Sequence, residues 1–305
     1  MAMKRAMIVI AALALLVAGC GDDDESAASG GGFDAERAFA DLRDQVAIGP
    51  RPAGSAGGRE VVRLIAERLR EAGAQSVRVQ RPWRNVVASI PGSEPGAIVL
   101  GAHHDTKTGV SPDFVGANDG ASGVAVVLEL ARALAPQAPL AGPTVHLALF
   151  DAEEARGDRD FSEDGTRGSR QYVDYARNGA QQGSPAPAEI RAMVLFDLVG
   201  DCDLQIPREA GSDPELYAEF ARAARELSDD DSADPFEGEA PPVLDDHIPF
   251  LEEGIPAVDL IDFAYGPGPS PGEWWHSPED TLDKVCPASL EAVGEAALIA
   301  LPGLG

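Results

Sequence analysis

The segment Thr144-Val145-His146-Leu147-Ala148-Leu149-Phe150-Asp151-Ala152-Glu153-Glu154 decides how the rest of this chain is interpreted. Its first seven residues are mainly β-branched, aliphatic and aromatic, which is typical of a buried strand. Three carboxylates follow, and open α/β sheets form their ligand crevices at the carboxyl ends of strands. Either Glu153 and Glu154 are solvated in a loop, or one binds a metal ion while the other transfers protons.

Strand-like and helix-like segments alternate along the chain without an abrupt change in composition. The predicted strands cover 76–80, 85–90, 97–102, 144–150, 192–196 and 257–261. The predicted helices cover 35–46, 58–72, 124–133, 169–177, 213–227, 245–253 and 287–301, and Asp34 and Ser55 are predicted N-caps of the first two. A Pro/Gly-rich connection predicts a hairpin between the strands at 85–90 and 97–102. The alternation predicts one α/β domain, a three-layer α/β/α sandwich around a mostly parallel, mixed sheet.

The composition limits the classes of partner. The chain has 305 residues and a net charge of −27, from 24 basic and 51 acidic side chains. This length is enough for one large domain with a sizeable core. Nucleic-acid binding requires a basic surface, so the charge argues against a nucleic-acid partner.

The first twenty residues have the organisation of a secretory signal. Lys4 and Arg5 precede an apolar stretch at 6–18 that is short for a membrane-spanning helix. It ends in Leu16-Val17-Ala18-Gly19-Cys20, which resembles a bacterial lipoprotein signal and implies a lipid on Cys20. The alternatives are an ordinary signal peptide, or an anchor, with an incidental cysteine. Residues 21–32 are a predicted acidic Gly/Ser tether, and the catalytic domain is expected at 33–305.

This signal predicts an exported protein, lipid-anchored to the outer side of the bacterial cytoplasmic membrane or the cell envelope. The lipid would be its only contact with the membrane. In such an oxidising compartment Cys202 and Cys286 can form a disulfide, the alternative being two buried free thiols.

Residues of metal-binding type occur at or near the ends of several predicted strands. His103 and Asp105 follow one strand and face the same side of an extended backbone, so that the carboxylate can orient the imidazole. Asp119 lies in a Gly-rich turn before a helix, Asp197 follows another strand, and His276 lies in a loop beside two tryptophans. These segments can converge at one sheet edge. Mixed imidazole and carboxylate ligands are typical of catalytic zinc, although manganese, iron or cobalt takes similar sets.

Five sequence blocks, in this order, resemble the zinc-aminopeptidase and glutaminyl-cyclase superfamily. They are Gly-Ala-His-His-Asp at 101–105, Gly-Ala-Asn-Asp-Gly-Ala-Ser-Gly at 116–123, Asp-Ala-Glu-Glu-Ala at 151–155, Phe-Asp-Leu-Val-Gly at 196–200 and Trp-His-Ser-Pro-Glu-Asp-Thr at 275–281. The resemblance runs from about residue 49 to the C-terminus. It implies a zinc-exopeptidase-like fold and an enzyme that acts on the N-termini of peptides or proteins.

The resemblance also implies roles for individual residues. Asp119, Glu154 and His276 would bind the primary zinc, and Glu153 would be the general acid/base.

In two-metal members of the superfamily a second ion is present. Asp119 would bridge the two ions, and His103 and Asp197 would hold the second one. Asp105 would be the partner of His103.

Other segments of the sequence indicate to which branch of the superfamily the chain is more similar. Asp245–Leu251 is similar to a cyclase motif whose first aspartate joins a proton network with the residues that match Glu153 and Asp197. His247 would support that network, and Trp275 would line the substrate pocket. The insertion after the glutamate pair also has a cyclase-like length.

Other features depart from the animal cyclases. Ser122-Gly123 follows the aminopeptidase pattern. The tryptophan that animal cyclases carry shortly after the glutamate pair is replaced by Arg156-Gly157-Asp158-Arg159, and the cysteines that they carry near the metal have no counterparts.

We therefore predict a zinc-dependent glutaminyl-peptide cyclotransferase, which converts N-terminal glutamine to pyroglutamate and releases ammonia. The alternative is a zinc aminopeptidase with two co-catalytic metals. A non-catalytic binding lipoprotein is a third hypothesis, which the complete ligand set disfavours.

A few other polar and aromatic residues have simpler interpretations. His104, His146 and Trp274 are predicted to be packed residues. Arg156, Arg159 and Arg167 are expected to balance nearby acids rather than bind a substrate carboxylate.

Overall fold

The predicted strands and helices form, with ends shifted by no more than three residues. The structure, a computed structural model, describes residues 32–227 and 235–304. Its helices are α1 (Ala35–Ala47), α2 (Ala56–Glu71), α3 (Ala121–Leu134), α4 (Phe161–Asp164), α5 (Arg167–Arg177), α6 (Pro214–Leu227), α7 (Ile248–Glu252) and α8 (Pro287–Ala300). Its strands are β1 (Gln75–Val79), β2 (Val86–Ile90), β3 (Ala97–His103), β4 (Thr144–Phe150), β5 (Ile190–Asp197), β6 (Arg208–Glu209), β7 (Glu239–Ala240) and β8 (Ala257–Ile261).

Six strands form one mixed sheet in the order β1-β2-β4-β3-β5-β8. The pairs β4–β3, β3–β5 and β5–β8 are parallel, whereas β2 is antiparallel to both β4 and β1. The parallel strands therefore bring their carboxyl ends to the same edge. The predicted fold class is confirmed.

The predicted hairpin between β2 and β3 is wrong, because β4 lies between these two strands. The residues that connect β2 to β3 instead lie beside the segment that precedes β4. Within this contact the Ser93 amide donates to the Leu140 carbonyl at 2.9 Å. Turn residues and apolar runs predict that both strands exist. They do not specify which neighbours pair, because strands covered on both faces have no polar side to distinguish the alternatives.

Helices cover both faces of the sheet. On β4, Val145, Leu147 and Leu149 face the larger core, which is shared with α1, α2, α3, α6 and α8. Ala148 and Phe150 face the smaller core, which is shared with α5 and α7. This alternation gives the three-layer architecture and explains why the whole segment is apolar.

Two helix caps and one disulfide form where the sequence indicated them. Asp34 and Ser55 cap α1 and α2, accepting the Arg37 and Gly58 amides at 2.9 Å. Cys202 and Cys286 form a disulfide with a Cα–Cα distance of 4.9 Å, which joins the segment after β5 to the start of α8. The predicted signal segment with Cys20, and tether residues 21–31, lie outside the described residues. No described helix has both the length and the apolar character needed to span a bilayer.

Gly123 is required where α3 crosses β5. A Cβ atom there would lie 2.0 Å from the Phe196 carbonyl oxygen, whereas one at Gly142 would meet no atom within 4 Å. We expect Gly123→Ala to lower the free energy of unfolding by about 2 kcal/mol or more, because the clash exceeds the gain in helix propensity. Gly142→Ala is the control and should change it by less than about 0.5 kcal/mol. Urea denaturation measures both, and equal midpoints would contradict this packing argument.

Candidate active site

The ends of β3, β4 and β5 place polar side chains around one cavity. His103 is the last residue of β3 and pairs with Phe150, the last residue of β4. The glutamate pair begins three residues after Phe150, so it follows the strand end that lies next to His103. Asp197 ends β5. Asp119 lies just before α3. The cavity has a volume of about 360 Å³.

The turn after β4 directs both glutamates to this cavity. Ala152 has a φ of +60°, a left-handed conformation that is uncommon outside glycine and signals a constrained turn. Three contacts hold the turn. The Glu153 amide donates to Asp105 Oδ1 at 3.0 Å, the Thr166 amide donates to the Glu153 carbonyl at 2.8 Å, and Arg167 Nη2 donates to the Glu154 carbonyl at 2.7 Å.

Asp119 is shared by two clusters of potential metal ligands. Its Oδ1 lies 3.2 Å from His103 Nε2, and its Oδ2 lies 3.3 Å from His276 Nε2. Asp197 Oδ1 lies 3.3 Å from His103 Nε2, and Glu154 Oε1 lies 3.1 Å from His276 Nε2. In each cluster the ligand atoms all lie within 4.8 Å of one another. The two sets are therefore His103–Asp119–Asp197 and Asp119–Glu154–His276.

The donor set fits a metal ion. Asp119 Oδ2 and Glu154 Oε2 are buried and have no hydrogen-bond partner in the described part of the chain. A carboxylate oxygen left in this state is costly unless a cation or a proton neutralises it. Two carboxylates and one imidazole with a cavity beside them form a donor set of the kind that an open catalytic zinc site uses.

Gly120 and Asp280 hold Asp119 in this position. A Cβ atom at Gly120 would lie 2.4 Å from His103 Nε2, so only glycine lets the imidazole approach this turn. The buried Asp280 carboxylate accepts the amides of Asn118 and Asp119 at 2.8 and 3.2 Å. Asp280 belongs to a family-like sequence block, but no role was predicted for it from the sequence.

Two cations, one partly buried and one fully buried, lie near the acidic site, and no role was predicted for either from the sequence. Lys107 Nζ donates to the Ala155 carbonyl at 2.7 Å and lies 3.5 Å from Glu154 Oε2. The fully buried Arg51 donates to the carbonyls of Val115 and Gly116 at 2.7 and 3.1 Å. Burial lowers the pKa of Arg51 to about 10, so that it stays charged at neutral pH.

The pKa shifts of the two adjacent glutamates are opposite in direction to the pKa shift of Asp119. Burial raises the pKa of Glu153 well above its usual range, and the charge of Glu154 raises it further against the opposing effect of His103. Burial and the Asp119 charge also raise the pKa of Glu154. Burial alone would raise the pKa of Asp119, but the imidazoles of His103 and His276 beside its carboxylate hold it well below its usual range. Asp119 is thus the anionic centre, and Glu153 can carry a proton.

Asp245 faces the same cavity from the segment before α7. Burial raises its pKa well above the usual range, and the negative charges of Asp259, Asp197 and Glu153 add to this effect. A protonated Asp245 can donate a hydrogen bond to a neighbouring carboxylate.

Asp105 and His247 lie outside the set of residues that line the cavity, as partners of other residues. Asp105 Oδ1 is 3.8 Å from His103 Nδ1, too far for a hydrogen bond, and accepts the Glu153 amide instead. The buried His247 does not line the cavity, and its ring nitrogens lie 3.6 Å from Glu209 and 3.7 Å from Asp259.

Aromatic side chains form one wall of the cavity. Trp275 stacks on His276 with a centroid distance of 3.9 Å, and its edge-to-face contact with Phe263 is at 5.0 Å. Phe161, which sequence analysis did not single out, also lines the cavity. Trp274 instead packs against Tyr265.

The basic residues of the loop after Glu154 have structural partners. Arg156, Arg159 and Arg167 all pair with Asp164, as the interpretation of charge balance predicted. The predicted packed residue His104 is fully buried, with Nε2 at 3.3 Å from the Arg84 carbonyl.

Residues 85–301 match the family model described as Peptidase family M28. A mouse protein named glutaminyl-peptide cyclotransferase-like protein is 31% identical over 284 residues, which cover 79% of this chain and 68% of the mouse protein. The structure of an Acidobacteriales bacterium glutaminyl cyclase has a TM-score of 0.79 and 30% identity, covering 93% of this chain and 99% of that one. A Zn-dependent exopeptidase from Parabacteroides distasonis has a TM-score of 0.73 and 25% identity, covering 88% and 97%.

These relatives are cyclotransferase-like and exopeptidase proteins, and the prediction that this chain is an enzyme of that superfamily is confirmed. Zinc is the metal that the exopeptidase neighbour names, and the donor set described above suits it. By the match over most of its length, this chain belongs to peptidase family M28.

Proposed function

We propose that the protein is a zinc-dependent glutaminyl-peptide cyclotransferase. Its substrates would be peptides or proteins with N-terminal glutamine, and its products pyroglutamyl peptides and ammonia. The similarity to a bacterial glutaminyl cyclase over 93% of the chain supports this choice. The observation that carries it is the buried Asp245, which lines the same cavity as Asp197 and Glu153, because a protonated acid there could engage Asp197 in a proton network.

Asp119, Glu154 and His276 would hold the zinc ion. When bound, zinc would polarise the side-chain amide carbonyl of the substrate glutamine. The cavity would hold the α-amine of the same residue close to that carbonyl carbon. Because nucleophile and electrophile belong to one residue, a correct orientation supplies much of the rate.

Glu153 would move the proton. The α-amine forms the new C–N bond and loses a proton to the Glu153 carboxylate. The carboxyl group then returns this proton to the departing nitrogen, so that the old C–N bond breaks and ammonia leaves. A buried carboxyl with a raised pKa suits both halves of this transfer. Asp197 and Asp245 would keep Glu153 oriented.

Hydrolysis by an aminopeptidase with two metals is the second candidate. The cluster His103–Asp119–Asp197 favours it, since these residues could hold a second ion and Asp119 belongs to both clusters. Glu153 would then deprotonate the attacking water and protonate the leaving amine.

For the whole protein, we also propose export and anchoring through a lipid on Cys20, at the outer side of the cytoplasmic membrane or the cell envelope. The signal-like residues 1–20 support this location.

Asp119→Asn tests the metal site. The substitution preserves the shape of the side chain but removes the charge that both imidazoles contact, so zinc affinity should fall by at least about 100-fold. The protein is dialysed against buffered zinc, and the bound zinc is measured by mass spectrometry. The bound fraction gives the zinc affinity. Asp174→Asn, on the exposed face of α5, is the matched control and should bind zinc normally. Unchanged zinc affinity in Asp119→Asn would remove this carboxylate from the site.

A paired assay tests the reaction. The zinc-loaded protein is incubated with a glutaminyl peptide and a leucyl peptide, and ammonia and free amino acids are measured. We expect ammonia and a matching mass loss from the glutaminyl peptide alone. Free leucine without ammonia would establish hydrolysis instead.

Glu153→Gln should lower the rate by about 100-fold or more while zinc remains bound, and full activity in this variant would exclude a role of Glu153 in proton transfer.

A further inference from the structure

A second groove lies outside the catalytic cavity, between residues 82–83 and one face of α5, and we call it the α5 groove. Its volume is about 690 Å³, within the roughly 300–1,000 Å³ of small-ligand sites. None of its described lining residues lines the catalytic cavity. Trp83 and Tyr175 line the groove, are partly exposed, and belong to none of the hydrophobic clusters that the described residues form. Aromatic side chains that no core uses, gathered on a concave surface, are typical of ligand sites.

Both aromatic side chains are held in place. The Trp83 amide donates to Gln171 Oε1, and Gln171 Nε2 donates to the Trp83 carbonyl, each at 2.9 Å. The Arg167 guanidinium lies over one face of the indole, 5.0 Å from the ring centroid. The Tyr175 hydroxyl donates to the Arg81 carbonyl. Because these contacts exist without a ligand, the groove loses little entropy when a ligand binds.

The charges of the α5 groove are balanced within the protein. Each of its three charged side chains has a partner of opposite charge: Arg167 with Asp164, Arg170 with Glu252 and Asp174 with Arg177, at nitrogen–oxygen distances of 2.9, 2.8 and 3.7 Å. Exposed pairs of this kind add little stability, but they leave no unbalanced charge to attract an ion. The groove therefore favours a neutral ligand.

The polar atoms that stay open in the groove suit hydroxyl groups. Asn178 Nδ2 donates to the Asp174 carbonyl at 2.7 Å, and Gln181 Nε2 donates to the Asn178 carbonyl at 2.8 Å. The side-chain oxygens of Asn178 and Gln181 accept no hydrogen bond from the described residues, and the Trp83 indole N–H donates to none of them. A hydroxyl group both donates and accepts, so a ligand rich in hydroxyls can use all three atoms.

A peptide strand fits this groove less well. A peptide that extends a sheet needs free backbone N–H and C=O groups on the protein. Gln171 already occupies both groups of Trp83, and the Arg84 amide donates to Asp151 Oδ2 at 2.9 Å. Among the described lining residues only Pro82 is aliphatic, so an apolar peptide side chain has no pocket to enter.

We propose that the α5 groove binds a neutral oligosaccharide. Its pyranose rings would pack on Trp83 and Tyr175, and its hydroxyl groups would bond to Asn178 and Gln181. A pyranose ring has an apolar C–H face with hydroxyl groups around its edge, which complements aromatic rings flanked by open hydrogen-bonding atoms. This binding site lies outside the catalytic cavity, so the inference does not depend on the proposed reaction.

A nuclear magnetic resonance titration locates the sugar. The probes are cellotriose and triacetylchitotriose, two neutral trisaccharides without and with acetamido groups, added to the 15N-labelled, zinc-loaded protein. The chain has three tryptophans, and the Trp83 indole signal is assigned by its loss in Trp83→Tyr. We expect at least one probe to shift this signal saturably, with a Kd of about 1 mM or lower. The signal of Trp275, which lines the catalytic cavity, should stay unchanged.

Affinities of the variants come from the backbone amide signals. Trp83→Ala and Tyr175→Ala should each weaken binding by about tenfold, whereas Trp83→Tyr keeps an aromatic ring and should weaken it by less than about threefold. Phe39→Ala is the matched control, since Phe39 is also a partly exposed aromatic residue but does not line the groove. It should bind the sugar as the wild type does.

Trigalacturonate, an acidic trisaccharide, tests the preference for a neutral ligand and should bind no more tightly than the neutral probes. Binding of trigalacturonate alone would overturn the proposal. So would the absence of a Trp83 shift with either neutral probe up to about 10 mM. A shift of the Trp275 signal instead would place the sugar in the catalytic cavity and refute the α5 groove as its site. Unchanged affinity in both alanine variants would refute it as well.

Discussion

The buried carboxylates around Asp119 dominate the energetics of this structure. Asp119, Glu153, Glu154 and Asp197 are each less than a tenth exposed and converge on one cavity. Like charges at such distances cannot all persist in a low-dielectric site without compensation. Two imidazoles contact Asp119, Lys107 lies beside Glu154, and protons are favoured on Glu153 and Asp245. Asp119 Oδ2 and Glu154 Oε2 still have no hydrogen-bond partner among the described residues. A divalent ion would supply the positive charge that these two oxygens lack.

The backbone is shaped to maintain this arrangement. Ala152 adopts a left-handed conformation, Gly120 leaves space for His103, and Asp280 accepts two amides of the Asp119 turn. None of these features alone provides chemistry. Together they fix the backbone positions from which the potential ligands project, as preorganised catalytic sites require. The adjacent Glu153 and Glu154 can therefore have separate roles.

The sequence predicted the elements, and the convergence of polar side chains at one sheet edge, better than it predicted the connections between strands. Apolar runs such as 144–150 identify strands, and polar residues at their carboxyl ends identify the site, because both patterns are local. The pairing of β2 with β4 was missed, since it depends on which non-local contacts form. Asp280 and Phe161 were also missed. A buried acid that binds backbone amides, and an aromatic residue at a cavity rim, have no distinctive spacing along a chain.

The central claim is that one ion is held by Asp119, Glu154 and His276 while Glu153 remains free. Anomalous diffraction at the zinc edge from crystals of the zinc-loaded protein tests this claim most directly. We expect a peak about 2.0–2.2 Å from an oxygen of Asp119, an oxygen of Glu154 and a nitrogen of His276, with the Glu153 carboxylate out of contact. A zinc ion coordinated by Glu153, or a peak away from Asp119, would contradict the account.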